Sequence, residues 1–195
     1  MKFETRAIRL RSDLTSQKEH SSPLYLTSSF LFDNAEEMRS VFAGEQEGNI
    51  YSRFSNPSVE EFENKMASLE NGEKCLATAS GMAAIFTCFA SLLSSGDHLL
   101  MSQAVFGSTF KITENFFQKW GITYDYVDQR EPNDWQRFVT PNTKLLYLET
   151  PSNPGLDIID LSQASKFCKE HDILLIVDNC FATPYLQQPL DLEQT

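Results

Sequence analysis

Ile173-Leu174-Leu175-Ile176-Val177-Asp178-Asn179 is the stretch that decides the fold of this chain. It opens with five consecutive aliphatic residues, and a run that is apolar on both faces is typical of a central strand in a covered parallel sheet. The run ends at Asp178, whose charge is costly in an apolar core unless it is paired. Open α/β sheets bind their ligands at the carboxyl ends of the strands, so Asp178 is expected to face a cationic group.

Strand-like and helix-like segments alternate along the chain before this run. Short apolar runs at 75–78, 98–101, 122–127 and 144–148 predict strands, and the segments between them predict helices. The almost wholly apolar segment 82–93 predicts a buried helix. Such βαβ units predict an α/β fold, with a mostly parallel sheet and helices on both faces.

The first fifty residues differ in character from this alternation. Residues 1–29 are mainly polar and predict an extended N-terminal arm, with a disordered terminus as the alternative. The apolar side chains within 23–32 predict that the arm lies on another surface, for example that of a second subunit. Asn34 and the residues after it predict a short capped helix. We therefore expect an arm and short helix over 1–50 and an α/β domain over 51–195.

Composition and charge exclude several classes of partner. Sixteen basic and twenty-seven acidic residues give a net charge of -11, which repels nucleic-acid backbones. The longest apolar run is too short to span a bilayer, and no N-terminal signal pattern is present. The four cysteines show no metal-ligand spacing. These features predict a cytoplasmic protein without metal, nucleic-acid or membrane partners.

Two short segments have the chemistry of a phosphate site. Ser80-Gly81-Met82 is a strand-to-helix turn whose glycine lets backbone amides approach a ligand at a helix N-terminus. A glycine needed only for steric reasons is the alternative. Tyr51 and Arg53 are two residues apart and would point the same way in an extended segment, as a phosphate clamp does. From spacing alone, a surface arginine beside a half-buried tyrosine is favoured.

Three further residues suit a planar ring with a basic nitrogen. Asp178 could keep the nitrogen protonated and so make the ring an electron sink, although a helix cap or structural ion pair is the alternative. Phe106 could stack on the ring, but a hydrophobic cap over the sheet edge is favoured without other information. Asn153 could hydrogen-bond a ring substituent or hold its own loop in an Asx turn.

Four motifs together resemble the Cys/Met-metabolism family of pyridoxal-phosphate-dependent enzymes, and the resemblance covers the chain from about Ser22 onward. They are Tyr51-Ser52-Arg53-Phe54-Ser55-Asn56-Pro57, Ala79-Ser80-Gly81-Met82-Ala83-Ala84, Glu149-Thr150-Pro151-Ser152-Asn153-Pro154 and Val177-Asp178-Asn179-Cys180-Phe181-Ala182-Thr183-Pro184. The resemblance implies the large domain of the fold type I enzymes, with pyridoxal 5'-phosphate as the cofactor.

The resemblance also implies a site shared between two copies of the chain. The turn formed by Ser80, Gly81 and Met82 would hold the cofactor phosphate, chiefly through backbone amides. Tyr51 and Arg53 would reach the phosphate of the neighbouring identical subunit. A homotetramer built from such dimers is expected.

The ring contacts follow from the same resemblance. Asp178, the candidate catalytic residue, would pair with the pyridine nitrogen, and Asn153 would lie near the phenolic oxygen. Phe106 falls where many relatives place a tyrosine over the ring. Phenylalanine can still stack on the cofactor ring, but it lacks the hydroxyl with which a tyrosine at this position could transfer a proton.

Segments 48–53, 105–109 and 186–190 are most similar to the O-succinylhomoserine sulfhydrylase branch of the family. That branch implies conversion of O-succinylhomoserine and sulfide to homocysteine and succinate in methionine biosynthesis. A cystathionine γ-synthase or methionine γ-lyase type of activity is the alternative.

Relatives continue into a Ser-x-Thr-Lys segment whose lysine forms the Schiff base, whereas no lysine follows Lys169 in this chain. The arginine that binds the substrate carboxylate in the family is expected in the same absent part. The resemblance therefore predicts the N-terminal part of such an enzyme, inactive by itself. A non-catalytic truncated subunit that binds a partner chain is a further alternative.

Overall fold

The computed structural model describes residues 1–10 and 14–194, apart from the side chains of 192–194. It divides into two compact units, Met1–Ala77 and Thr78–Thr195. The expected boundary after residue 50 stays a prediction, and the part of the expected arm at 11–13 lies outside the described residues.

The first unit consists of helices joined by irregular segments. These are α1 (Phe3–Arg9), α2 (Ala35–Phe42) and α3 (Pro57–Glu70). Helix α1 was not predicted, because the first ten residues are too polar and too short to show a clear helical period. The described part of the arm over 14–34 contains no helix or strand except a single bridge from Ser29 to Tyr51.

The predicted capping of α2 is confirmed, and α3 begins at a cap of the same kind. The Asn34 side chain accepts a hydrogen bond from the Glu37 amide at 2.9 Å, and the Glu37 carboxylate accepts one from the Asp33 amide at 2.6 Å. Asn56 accepts from the Ser58 amide at 2.9 Å, and α3 ends at Asn71 in the left-handed conformation. Local hydrogen-bond chemistry therefore sets both helix starts.

The second unit alternates helices and strands as the sequence predicts. In chain order its elements are α4 (Gly81–Leu92), β1 (His98–Ser102), α5 (Gly107–Ile112), a π-helical turn (Thr113–Phe117), α6 (Gln118–Trp120), β2 (Thr123–Val127), a 3-10 helix (Pro132–Phe138), β3 (Thr143–Glu149), α7 (Leu161–His171), β4 (Leu174–Asp178), α8 (Thr183–Leu186) and a last 3-10 helix (Pro189–Gln194).

The four strands form one parallel sheet in the order β2-β1-β3-β4. The register pairs Leu145 with Leu99 on one side and with Leu174 on the other. All four carboxyl ends therefore lie at one edge, and Glu149 is paired directly with Asp178 there.

Apolar clusters cover both faces of the sheet, which confirms the predicted α/β architecture with helices on both sides. One cluster packs α4 and the α5–α6 region on the sheet: Phe89, Leu93, Leu99, Met101, Val105, Ile112, Phe117, Ile122, Leu145 and Tyr147. The other packs α7 and the first 3-10 helix on the opposite face: Leu100, Val127, Trp135, Leu146, Leu148, Ile159, Ala164, Phe167, Cys168 and Ile173.

The predicted strand at 75–78 is wrong. A strand needs a partner for its backbone groups, and the Ala77 amide instead donates to the Glu63 carboxylate at 2.7 Å. The Leu76 side chain is 74% exposed. The segment therefore lacks both the hydrogen bonds and the burial of a strand.

Two burial predictions also need correction. Strand β4 lies at an edge of the described sheet rather than at its centre, and Leu174 is 57% exposed. Helix α4 is buried only on the face that carries Phe89, while Phe86 is partly exposed. Within the described residues, β4 has a neighbouring strand on one side only, and α4 buries only one of its faces. No helix among these residues is both long and apolar enough to cross a membrane.

Candidate functional site

Asp178 ends β4 and is half-buried, with both carboxylate oxygens held by the protein. The Tyr147 hydroxyl donates to Oδ2 at 3.1 Å, and the Cys180 amide donates to Oδ1 at 3.0 Å. Burial, followed by the negative charge of Asp178, raises the pKa of Tyr147 well above its usual range. The phenol therefore stays protonated and remains the donor in this pair.

Glu149 is a second carboxylate at the same edge, and the sequence interpretation gave it no role. It ends β3 beside Asp178 and is 6% exposed. Its Oε2 accepts a hydrogen bond from the Phe106 amide at 2.7 Å, and the Asn153 amide faces the same carboxylate and lowers its pKa. Burial raises the pKa of Glu149, although the Phe106 amide opposes that shift. One buried carboxylate thus ties together the two loops that carry Phe106 and Asn153.

A signal for Glu149 was present in the sequence. β3 is an aliphatic run that ends in a carboxylate, just as β4 ends in Asp178. The rule that selected Asp178 therefore selects Glu149 as well. Tyr147 gave no such signal, because an aromatic residue within an apolar strand is ordinarily a core residue.

Phe106 and Asn153 lie in the loops after β1 and β3. Phe106 directly precedes α5 and is 42% exposed, so its ring is not a fully buried cap of the sheet. A Cβ added at Gly107 would meet nothing within 4 Å, so open space adjoins this junction. Asn153 is half-buried. Glu149 brings the backbones of these two predicted residues to one carboxylate at the end of β3.

The loop after β3 is also fixed to the segment after β4. The side-chain amide of Gln187 donates to the Thr150 carbonyl at 3.0 Å and to Oδ1 of Asn179 at 2.8 Å. Asn179 donates in return to the Gln187 carbonyl at 2.8 Å. The Thr150 amide donates to the Asp178 carbonyl at 3.2 Å. These bonds hold the loop after β3 against the segment after β4, next to Asp178.

Ser80, Gly81 and Met82 form the predicted turn into α4. The Ser80 hydroxyl caps the helix by accepting from the Ala83 amide at 3.1 Å. The amides of Gly81 and Met82 belong to the first turn, where no carbonyl of the helix can accept them. A Cβ added at Gly81 would meet nothing within 4 Å, so this glycine borders open space rather than protein atoms. The helix start therefore suits an anion.

Tyr51 and Arg53 belong to the first unit and lie together there. The Arg53 guanidinium lies over the Tyr51 ring, 4.9 Å from its centroid, and over the Phe54 ring at 5.3 Å. The Phe54 amide donates to the Tyr51 carbonyl at 2.8 Å, so the segment is a turn and not the extended segment expected. The two predicted side chains nevertheless converge, and both are exposed.

The groups of the second unit fit a planar, phosphorylated ligand that carries a basic ring nitrogen. An anion-binding helix start bordered by open space would receive the phosphate. The exposed ring of Phe106 offers a stacking surface, and the Asp178 carboxylate offers an acceptor for a protonated nitrogen.

Comparison with known proteins gives a consistent result. The model of a family described as "Cys/Met metabolism PLP-dependent enzyme" matches residues 4–194. An O-succinylhomoserine sulfhydrylase of Pseudomonas aeruginosa is 45% identical over 190 residues, which are 97% of this chain and 47% of the relative. An L-methionine gamma-lyase of Treponema denticola is 41% identical over 174 residues, which are 88% of this chain and 43% of the relative.

A solved structure of an O-acetylhomoserine (thiol)-lyase from Campylobacter jejuni matches this chain with a TM-score of 0.93 and 32% identity. That structure contains N'-pyridoxyl-lysine-5'-monophosphate. The match covers 99% of this chain and 48% of that one. The chain thus spans about half the length of the relatives it matches.

Proposed function

Because the chain belongs to the Cys/Met-metabolism family of pyridoxal-phosphate-dependent enzymes, we propose that it is part of a sulfhydrylase. The proposed reaction converts O-succinylhomoserine and sulfide to homocysteine and succinate in methionine biosynthesis. The observation that carries this choice is the 45% identity to an O-succinylhomoserine sulfhydrylase over 97% of the chain. We expect the protein in the cytoplasm.

Bound pyridoxal phosphate supplies an electron sink for the negative charge that develops on a substrate amino acid. The proposed task of Asp178 is to hold a proton on the ring nitrogen, since a carboxylate favours the charged form of a neighbouring base. Phe106 stacks on the ring, and Asn153 hydrogen-bonds its phenolic oxygen. Phe106 has no hydroxyl, so its task in this proposal is stacking without proton transfer.

The phosphate is held from two subunits in this proposal. The amides of Gly81 and Met82, with the Ser80 cap, bind it at the start of α4. Tyr51 and Arg53 reach the phosphate of the neighbouring subunit in a homotetramer. Their pairing through the 4.9 Å cation–π contact supports this role, because it presents a phenol and a guanidinium together.

A γ-lyase is the second candidate, and the 41% identity to an L-methionine gamma-lyase favours it. The two reactions differ in their products. The purified full-length protein that contains this chain would be given O-succinylhomoserine with sulfide, with cysteine, or with no added nucleophile, and methionine in a separate reaction. Homocysteine formed only with sulfide supports the proposal. Cystathionine formed with cysteine indicates the synthase, and methanethiol released from methionine indicates the lyase.

A further inference from the structure

The Tyr147 side chain belongs to the apolar core, but its hydroxyl takes part in the polar contacts at the carboxyl ends of the strands. It is 1% exposed, and its ring packs edge-on against Phe89 with the centroids 5.2 Å apart. Its hydroxyl donates a hydrogen bond to the Asp178 carboxylate at 3.1 Å. We propose that Tyr147 is the positioning residue for Asp178 and sets the orientation in which that carboxylate meets the cofactor ring. This inference rests on the proposed role of Asp178.

The two donors to Asp178 act on different oxygens. Tyr147 donates to Oδ2 from within the sheet, and the Cys180 amide donates to Oδ1 from the following turn. A carboxylate held at both oxygens cannot rotate freely about its last side-chain bond. Its remaining lone pairs then point in fixed directions, which is what an acceptor for a single ring proton requires.

The Tyr147 hydroxyl can fix the orientation of the Asp178 carboxylate because it is itself held rigidly. The Tyr147 ring is packed in the core, so the position of its hydroxyl is fixed by Phe89 and the strand. Burial keeps the phenol protonated because it raises the pKa of Tyr147. The hydrogen bond therefore keeps one direction, in which the Tyr147 phenol donates and the Asp178 carboxylate accepts.

The alternative is that the Tyr147–Asp178 hydrogen bond has only a structural role. A buried phenol needs a hydrogen-bond partner, and Asp178 could serve only to satisfy it. Both explanations predict that removal of the hydroxyl alters stability. Only the positioning role predicts a change in the protonation of a bound cofactor ring.

The chain offers a matched control in Tyr126. Its hydroxyl also bonds within the second unit, to the Thr113 hydroxyl at 2.9 Å, but β2 lies at the opposite edge of the sheet from Asp178. Tyr147→Phe and Tyr126→Phe each remove one oxygen and keep the ring in place. Both variants are therefore expected to fold, which circular dichroism and thermal unfolding would check.

The experiment loads the whole protein with pyridoxal phosphate labelled with nitrogen-15 in the ring. Ring protonation is read from the nitrogen chemical shift, and affinity from a fluorescence titration. Wild type, Tyr147→Phe, Tyr126→Phe and Asp178→Asn are compared. For Tyr147→Phe we expect a shift toward the unprotonated value and an affinity weaker by about tenfold, since a bond to a charged group is lost. Tyr126→Phe should match wild type.

The outcomes separate this inference from the proposed function. If Asp178→Asn leaves the ring signal at the wild-type value, the role of Asp178 is wrong and the inference fails with it. If Asp178→Asn shifts the signal but Tyr147→Phe does not, the role of Asp178 stands and only the positioning role is refuted. A shift toward greater protonation in Tyr147→Phe would also refute positioning. Equal shifts in Tyr147→Phe and Tyr126→Phe would show a nonspecific effect and overturn it too.

Discussion

Glu149 and Asp178 end neighbouring strands in direct register, yet the protein surrounds them differently. Glu149 is almost fully buried, accepts the Phe106 amide and faces the Asn153 amide, whereas Asp178 is half-buried and accepts one phenol and one amide. Amide donors stabilise a buried carboxylate and fix the loops that supply them. We therefore assign Glu149 to holding the loops and Asp178 to meeting the ligand.

Replacing Glu149 by alanine should release the two loops. The Phe106 amide would lose its acceptor and the Asn153 amide would lose the charge that it faces, and the protein should lose about 1–3 kcal/mol of stability. Hydrogen exchange measured by NMR should become faster at both amides, while the amides of β1 keep their protection. Glu114→Ala is the control, because it removes an exposed carboxylate that pairs with Lys111 on the outside of the helix. Equal exchange at Phe106 in wild type and Glu149→Ala would contradict the assignment.

His98 should make stability depend on pH. Its side chain is 3% exposed, with Nδ1 2.8 Å from the Thr143 hydroxyl and Nε2 3.3 Å from Asp125. Burial lowers the pKa of His98 from 6.5, although Asp125 opposes the shift. The unfolded chain therefore binds the proton first, and stability is lost as the pH falls from 6.5 toward the pKa of the folded state.

Chemical unfolding between pH 7.5 and 5 would test this, with His98→Asn as the variant. The variant should lose most of the pH dependence over this range, because the titrating ring is gone. His171→Gln, at an exposed position, should keep the wild-type slope. A slope that is unchanged in His98→Asn would show that another group is responsible.

At the scale of residues, the sequence suggested candidate groups for ligand contact but not the groups that hold them in place. Asp178 was predicted because a charge that ends an apolar strand is unusual. Tyr147 was missed because its role depends on a hydroxyl that reaches the next strand, and this contact is visible only once the register is known. The Tyr147–Asp178 and Phe106–Glu149 contacts join residues that are far apart in the sequence, so one segment of sequence cannot reveal them.

At the scale of elements, local chemistry was predictable and pairing was not. The starts of α2, α3 and α7 follow from capping side chains within three residues of each helix. The failed strand at 75–78 and the edge position of β4 depend on which strands find partners, and residue type does not determine this. The same limit explains why α4 and β4, each apolar all round, were expected to be fully buried.

Asn56 provides a test of how much a helix cap contributes in this fold. It is 6% exposed, caps α3, and donates to the Tyr25 carbonyl at 3.0 Å and the Ser52 hydroxyl at 2.9 Å. Asn56→Ala should lower the free energy of unfolding by about 2 kcal/mol, since the cap and two further bonds are lost. Asn34→Ala, which removes an exposed cap of α2, should cost about 1 kcal/mol or less. Urea unfolding of both variants gives the comparison, and equal losses would contradict it.

At the scale of the whole molecule, the first unit presents apolar side chains that its own fold leaves uncovered. Leu24, Leu26, Leu31 and Phe54 are at least 74% exposed. Where exposed apolar side chains form a contiguous patch, that patch commonly binds another protein surface. They support the prediction that the arm lies on another surface, and the proposal that Tyr51 and Arg53 serve a neighbouring subunit.

Mixing two inactive variants tests that sharing of sites directly. Arg53→Ala should impair the phosphate clamp, and Asp178→Asn should impair the ring contact. If each site draws Arg53 from one subunit and Asp178 from the other, half of the sites in a mixed dimer carry neither change. Full-length proteins that carry the two changes would be unfolded and refolded together at equal concentration. The mixture should then restore about a quarter of the wild-type activity, because about half of the dimers are mixed.

A second mixture controls for nonspecific recovery. Glu149 and Asp178 are paired within one subunit, so every site in a mixed dimer of Glu149→Ala and Asp178→Asn carries one of the two changes. That mixture should show no more activity than the average of its components. If the Arg53→Ala and Asp178→Asn mixture behaves in the same way, both residues act within one subunit and the shared site is refuted. Recovery in the first mixture alone would establish that an intact site needs two copies of the chain.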